Sequence, residues 1–170
     1  MNCAVRDMIS ARCWKREGAS NTPVTILPGS RLMVKTRKKL IRELDKVFSK
    51  FIRLRDSNRL GYGKCITCGR IGHWKTMDCG HYIKRQHMTT RYDEKNCNMQ
   101  CKRCNAFEQG ANQVYKLKID QKFGKGTSDW LELKQYAQSN LGRFELGVLL
   151  EHYKAEVQKM ENEKCTQKNC

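Results

Sequence analysis

Leu40, Leu44, Val47, Phe48, Phe51 and Leu54 recur at steps of three and four residues, the spacing that lines one face of an α-helix. The pattern predicts a helix from about Arg31 to Asp56. Its other faces carry Arg37, Lys38, Lys39, Arg42, Lys46, Lys50, Arg53 and Arg55, and Asp56-Ser57-Asn58 with Gly61 and Gly63 ends it. A second helical pattern opens at Asn105 and runs through Val114, Leu117, Ile119 and Phe123 to Gly124, with Gly110 as an early interruption. Thr127-Ser128-Asp129 reads as a cap for a short helix bearing Trp130, Leu133, Tyr136 and Ala137. A last helix from about Arg143 to Glu163 carries Phe144, Leu146, Leu149, Leu150, Tyr153 and Val157. Between the first two helices, Trp74–Tyr82 reads as a strand and Thr89–Asn98 as its return. Residues 1–30 lack a period and hold both prolines, which predicts a disordered arm. The organisation expected is therefore an arm (1–30), a basic amphipathic helix (31–60), a metal-bound core (61–124), C-terminal helices (125–164) and a fraying tail (165–170).

Composition changes this picture in two ways. With 39% apolar residues and a mean hydropathy of -0.77, the 170-residue chain can build only a modest core, so a metal staple would matter. A net charge of +17, from 34 Lys and Arg against 17 Asp and Glu, points to a polyanionic partner such as DNA. A plain solvated basic surface is the simpler alternative. No apolar run approaches the roughly 20 residues that span a bilayer, and Asp7, Arg12, Lys15, Arg16 and Glu17 break any signal-peptide core. A cytoplasmic location is expected, where ten cysteines read as metal ligands and bystanders rather than disulfides.

The cysteines then supply chemistry. Cys65-Ile66-Thr67-Cys68 and Cys101-Lys102-Arg103-Cys104 are two C-x-x-C pairs, and four thiolates at that spacing form a closed structural zinc site. Cys79 and Cys97 read as small buried apolar residues, while Cys3, Cys13, Cys165 and Cys170 have no recognised spacing. Inside the clamp lie Asp78, His81 and, next to Cys104, Asn105. A histidine on a strand is more often structural than catalytic, Asn105 is a good helix cap, and Asp78 suits a surface turn. Together they offer a proton acceptor and hard oxygen donors for a cation such as Mg²⁺. His73 and His87 lie in loop-like sequence and receive no role.

One further step comes from resemblance. Phe51-Ile52-Arg53-Leu54-Arg55-Asp56, Cys65–Gly69, Trp74, Asp78-Cys79-Gly80-His81-Tyr82, Arg91–Asn96, Gln100–Asn105, Gly110-Ala111-Asn112 and Tyr115 form an ordered series. That series resembles the phage NinG (Rap) family of recombination nucleases, within the HNH or ββα-metal superfamily, over roughly residues 35 to 160. Cys101–Gly110 also resembles the second knuckle of phage endonuclease VII. The resemblance implies an α+β fold: a zinc-stabilised, treble-clef-like ββα-metal core flanked by helices. It implies a structure-specific endonuclease cutting branched DNA such as Holliday junctions and D-loops. By position, His81 would be the general base, Asp78 and Asn105 the ligands of a catalytic Mg²⁺ or Mn²⁺, and Asn96 a residue that positions His81 through loop backbone. Arg85 and Arg91, with Lys39, Arg42, Lys46, Lys50 and Arg53 of the basic helix, are candidate DNA contacts. Many HNH nucleases carry an acidic residue directly before the base, whereas here Gly80 stands there. Asn98 occupies a place where relatives can carry His, and the arm matches poorly. A homodimer is expected of a junction-cutting enzyme, with recombination proteins as possible partners. The stripe of the 143–163 helix is its interface or a face packed on the core. The rival readings are a zinc-ribbon DNA-binding protein without catalysis and an RNA-binding accessory protein.

Overall fold

A computed structural model describes residues 35–107 and 112–165. The expected arm, the interruption at Gly110 and the tail beyond Cys165 lie outside the described residues.

Helix α1 spans Arg37–Arg55. It starts at Arg37 rather than near Arg31 because Thr36 is extended, and its side chain accepts the Lys39 amide at 3.3 Å. Leu40, Leu44, Phe48, Phe51, Ile52 and Leu54 are buried, while Lys39, Arg42 and Lys46 are exposed on the opposite side. Against this stripe lies the last helix, α5, Arg143–Cys165, contributing Leu146, Leu150, Tyr153 and Val157. Phe48 meets Tyr153 at 4.9 Å and Tyr92 at 5.5 Å, both edge-on, the geometry aromatic rings prefer. Leu146, Leu150, Tyr153 and Val157 of the α5 stripe are therefore packed on the core, whereas Phe144 at its start is exposed.

After α1 come two short antiparallel pairs. Strands β1 (Tyr62–Lys64) and β2 (Ile71–His73), which the hydrophobic pattern did not predict, pair Tyr62 with His73 and Lys64 with Ile71. Three-residue strands with exposed Tyr62 and Ile71 carry no burial alternation to find. Gly63 is required in β1, since a Cβ there would stand 2.3 Å from the Asp56 carbonyl oxygen. The second pair is β3 (Asp78–His81) with β4 (Cys97–Gln100), in the register Asp78↔Gln100, Cys79↔Met99, Gly80↔Asn98 and His81↔Cys97.

The expected return strand Thr89–Asn98 is thus corrected. Its first part is a helical turn, α2 (Met88–Arg91), and the strand begins only at Cys97. Local bonds explain the change: Thr90 Oγ1 donates to the His87 carbonyl at 3.3 Å, and Asp93 Oδ1 accepts the Lys95 amide at 2.9 Å.

Beyond β4 a single π-turn, Arg103–Phe107, precedes helix α3 (Asn112–Phe123) and helix α4 (Thr127–Lys134). The expected face of α4 is also corrected. Trp130, Leu133 and Tyr136 are exposed, and Leu131 is the buried apolar residue. Asp120 accepts both the amide and the hydroxyl of Ser128 at 2.8 Å, which fixes the rotation of α4 so that Leu131 joins Tyr82, Ile83, Tyr115 and Ile119 in a second core. No described helix is long and apolar enough to cross a membrane.

The cores are joined by a half-buried polar hub at the end of α1. Arg55 pairs with Asp56 at 3.0 and 3.1 Å and also donates to the carbonyls of Glu94 and Cys97 and to Asn98 Oδ1. Asp56 accepts Lys122 Nζ at 2.8 Å and the Met99 amide at 2.9 Å. Burial would raise the Asp56 pKa, but Arg55 and Lys122 hold it below the ordinary value of 3.8. A carboxylate lowered in this way stabilises the fold above the unfolded pKa and loses that contribution as pH falls through the folded one. We expect Asp56→Asn to cost about 3 kcal/mol or more at neutral pH. In urea titrations repeated over pH, its deficit against wild type should shrink below pH 3.8; a deficit constant with pH would exclude the carboxylate charge as its source.

Candidate metal centre and active site

The turn of the β1–β2 hairpin is the first cysteine knuckle. Cys65 N donates to Arg70 O at 2.8 Å and Gly69 N to Cys65 O at 2.9 Å, with Gly69 at φ 74°, a conformation favouring glycine. Backbone amides of Cys68, Cys101 and Thr67 turn toward the Cys65 sulfur. Burial alone would raise its pKa, yet these donors bring it down to about 7. The second knuckle follows β4, where Asn105 N donates to Cys101 O at 3.0 Å, and Ile66 N to Met99 O at 2.9 Å joins the two knuckles.

The sulfurs of Cys65, Cys68, Cys101 and Cys104 all lie within 4.8 Å of one another. Four sulfurs about 2.3 Å from one tetrahedral ion stand about 3.8 Å apart, and Cys68 and Cys101 are 3.7 Å apart. The donor set and its spacing fit, so this cluster could hold a metal ion such as zinc. Met77, Met99 and Trp74 pack around it. The Arg53 guanidinium lies 5.4 Å from the Trp74 ring and donates to the Trp74 carbonyl at 3.1 Å.

The clamp places Asn105 beside β3. Asn105 Nδ2 donates to Asp78 Oδ2 at 3.2 Å, and both residues are partly exposed. His81 is not with them. Successive residues of a strand point to opposite faces, so Asp78 and Gly80 share one face and Cys79 and His81 the other. His81 Nε2 lies 3.2 Å from the Arg91 carbonyl oxygen, and its ligand atom falls within 4.8 Å of the sulfurs of Cys79 and Cys97. Burial and the Arg85 charge push its pKa down to about 4, so the imidazole is neutral at pH 7. The structure therefore brings Asp78 to Asn105 and sets His81 apart from both.

Gly80 explains the missing acidic residue before His81. A Cβ there would lie 1.8 Å from Gln100 Oε1 and 2.5 Å from its Cδ, and Gln100 is buried and held to Thr67 at 2.6 Å. Asn96 ties the loop after β3 together: its Oδ1 accepts Ile83 N at 2.7 Å and its Nδ2 donates to the carbonyls of Ile83 and Thr90. Asn98 is buried, donating to Lys95 O and Tyr115 Oη and accepting Arg55 and Lys122. Tyr115 Oη in turn donates to Gly80 O at 2.9 Å.

The basic residues divide. Arg91 grips Asp45 through two bonds of 2.9 and 2.5 Å and donates to Arg85 O, so its fork has partners within the chain. Lys50 pairs with Glu161 at 2.7 Å, and Arg53 is committed to Trp74. Arg85 is exposed, as are Lys39, Arg42 and Lys46. Sequence reasoning missed the positioning group of Arg55, Asp56, Tyr115 and Lys122. Three of them sit in the recognised motif segments, which was the signal available.

The family model for "Bacteriophage Lambda NinG protein" matches residues 25–163. The chain belongs to the NinG family. It is 30% identical over 105 residues to the curated Protein ninG of Escherichia phage 933W, an overlap covering 60% of this chain and 49% of the relative. It is likewise 30% identical over 105 residues to Protein ninG of Salmonella phage P22, covering 60% and 48%. The chain thus spans about half the length of the curated relatives it matches. No solved structure matches it. The matched segment of this NinG-family chain includes both knuckles, the Asp78–Asn105 pair and all but the last two residues of α5.

Two outcomes follow from the clamp. Cys68→Ser should lower the zinc content of purified protein by one equivalent, measured by elemental analysis; unchanged zinc would remove the four-cysteine site. Gly80→Ala should cost about 1–3 kcal/mol in chemical denaturation, the range for overpacking, because the Gln100 side chain must leave its seat.

Proposed function

We propose that this NinG-family protein is a metal-dependent endodeoxyribonuclease acting on branched DNA, such as Holliday junctions and D-loops formed in recombination. The observation carrying the reading is the Asp78–Asn105 pair, 3.2 Å apart and held beside a four-cysteine clamp in a strongly basic chain. In this reading zinc in the clamp is structural, a closed four-thiolate site with no position for substrate. The amide of Asn105 and carboxylate of Asp78 are hard oxygen donors suited to Mg²⁺ or Mn²⁺, which keeps most of its shell for water and phosphate oxygens. Such an ion, when bound, polarises the phosphate and stabilises the leaving oxygen.

His81 is the proton acceptor of the proposal, supported by its neutral state at pH 7. Among the described residues β3 pairs with no strand other than β4, so its other edge carries no strand. A phosphodiester laid along that edge would have Asp78 and Asn105 on one side and His81 on the other. Exposed Lys39, Arg42, Lys46 and Arg85 would track neighbouring phosphates. Cleavage of two opposed strands calls for a homodimer, and since Leu146, Leu150, Tyr153 and Val157 of α5 are buried within the chain the second copy would use another surface.

The test is cleavage of a four-way junction and of linear duplex by purified protein with Mg²⁺, Mn²⁺ or EDTA. Wild type should cut the junction only with metal. Asp78→Ala and Asn105→Ala should lose cutting, and His81→Ala should slow it by about 10²–10⁴-fold, the contribution of a positioned base. Full-rate cutting by His81→Ala would remove its role as base and leave the metal pair in place. Binding of branched DNA with no cutting under any divalent metal would favour a non-catalytic DNA-binding protein. Preference for RNA would favour an accessory RNA-binding role.

A further inference from the structure

Cys79, His81 and Cys97 stand together on the face of the β3–β4 pair turned away from Asp78, and neither the clamp nor the hydrolysis accounts for both thiols. The register explains why they meet. His81 is directly opposite Cys97, and Cys79 is two residues along β3 on the same face. Their ligand atoms lie within 4.8 Å of one another. Two thiols and an imidazole are the ligands of a three-residue zinc site, which leaves one position open.

That fourth position has an occupant. The Arg91 carbonyl oxygen lies 3.2 Å from His81 Nε2 and 3.6 Å from the Cys97 sulfur. Around a tetrahedral ion bound about 2.0 Å from nitrogen, about 2.1 Å from oxygen and about 2.3 Å from sulfur, the nitrogen–oxygen separation is about 3.3 Å and the sulfur–oxygen separation about 3.6 Å. The observed spacings match both. The outer shell fits as well: with Nε2 on the ion and the ring proton on the other nitrogen, the nearby Cys79 carbonyl can accept that proton, the way a metal-bound imidazole is usually oriented. Asn96 Nδ2 lies 3.9 Å from the Cys97 sulfur, and the same amide anchors the loop that carries Arg91.

We propose that Cys79, His81 and Cys97, closed by the Arg91 carbonyl, form a second binding site for a thiophilic divalent cation of the zinc class, distinct from the four-cysteine clamp. The ion displaces the thiol protons of Cys79 and Cys97, and the two thiolates balance its charge; the one proton of the neutral His81 ring shifts from Nε2 to Nδ1, which leaves the Nε2 lone pair to ligate. It joins β3, β4 and the end of α2 on the side opposite the Asp78–Asn105 pair. While it is bound, His81 cannot accept a proton, so the base role proposed above belongs to protein in which this second site is empty and the clamp alone is filled.

Zinc per chain, measured on full-length protein loaded with zinc in reducing buffer and then freed of unbound metal, tests the assignment without DNA and so independently of the nuclease reading. Wild type should hold two equivalents. Cys79→Ser and His81→Ala should each hold one, as should Cys68→Ser, and the Cys68→Ser/Cys79→Ser double variant none. Cys79 is only partly buried, so its serine variant is the one least prone to misfold. With Co²⁺ in place of zinc, the difference between wild type and Cys79→Ser should be the spectrum of a site with two thiolates. A wild type holding a single equivalent that Cys68→Ser removes, or a Cys79→Ser protein retaining two, overturns the proposal.

Discussion

Arg55 and Asp56 close the C-terminal end of α1, and nearly every element near the candidate site is referred to that ion pair. Asp56 takes the Met99 amide from β4 and the Lys122 ammonium from α3. Arg55 takes the carbonyls of Glu94 and Cys97 and shares Asn98 with Lys122. Both charges are largely withdrawn from solvent, so each depends on its partners for the solvation water no longer supplies. The consequence is positional. β4 is set at one height against α1, and its register then sets the height of β3, the second knuckle and Asn105.

Strand alternation acts on that frame. With four residues of β3 in unbroken register, Asp78 and His81 must leave on opposite faces, since their separation is odd and the side-chain period is two. The two faces differ in surroundings. One meets Asn105 and the buried Gln100; the other meets the thiols of Cys79 and Cys97 and the Arg91 carbonyl. Hard oxygen donors and soft sulfur and nitrogen donors are thus sorted to the two sides of one strand, which suits them to different cations.

Gly80 and Gly63 mark where the chain has no room for a side chain, and both sit against the hub and the β4 residues it holds. The arrangement makes tight packing, rather than a large apolar core, the source of precision around the site. It fits a chain whose mean hydropathy is -0.77 and whose cores are divided among three small clusters.

Much was legible in the residues alone. The α1 stripe, most of the α5 stripe, the paired C-x-x-C spacing and the net charge of +17 follow from local period and composition, because helical burial and chelate spacing are written within a few residues. The family followed from the ordered motif series over most of the chain. The rest depended on contacts distant in sequence. Thr90 and Asp93 turned an expected strand into a helical turn through side-chain bonds that propensity does not count. Arg91, a candidate for phosphate, is held by Asp45, 46 residues away. Cys79 and Cys97, read as apolar bystanders, became candidate ligands only when β3 and β4 paired. Sequence alone determined which donor groups and charges this protein carries, since that is a matter of residue type and spacing. Which of them share a face was decided by tertiary structure, because the register of β3 on β4 is set by a buried ion pair at the end of a helix elsewhere in the chain.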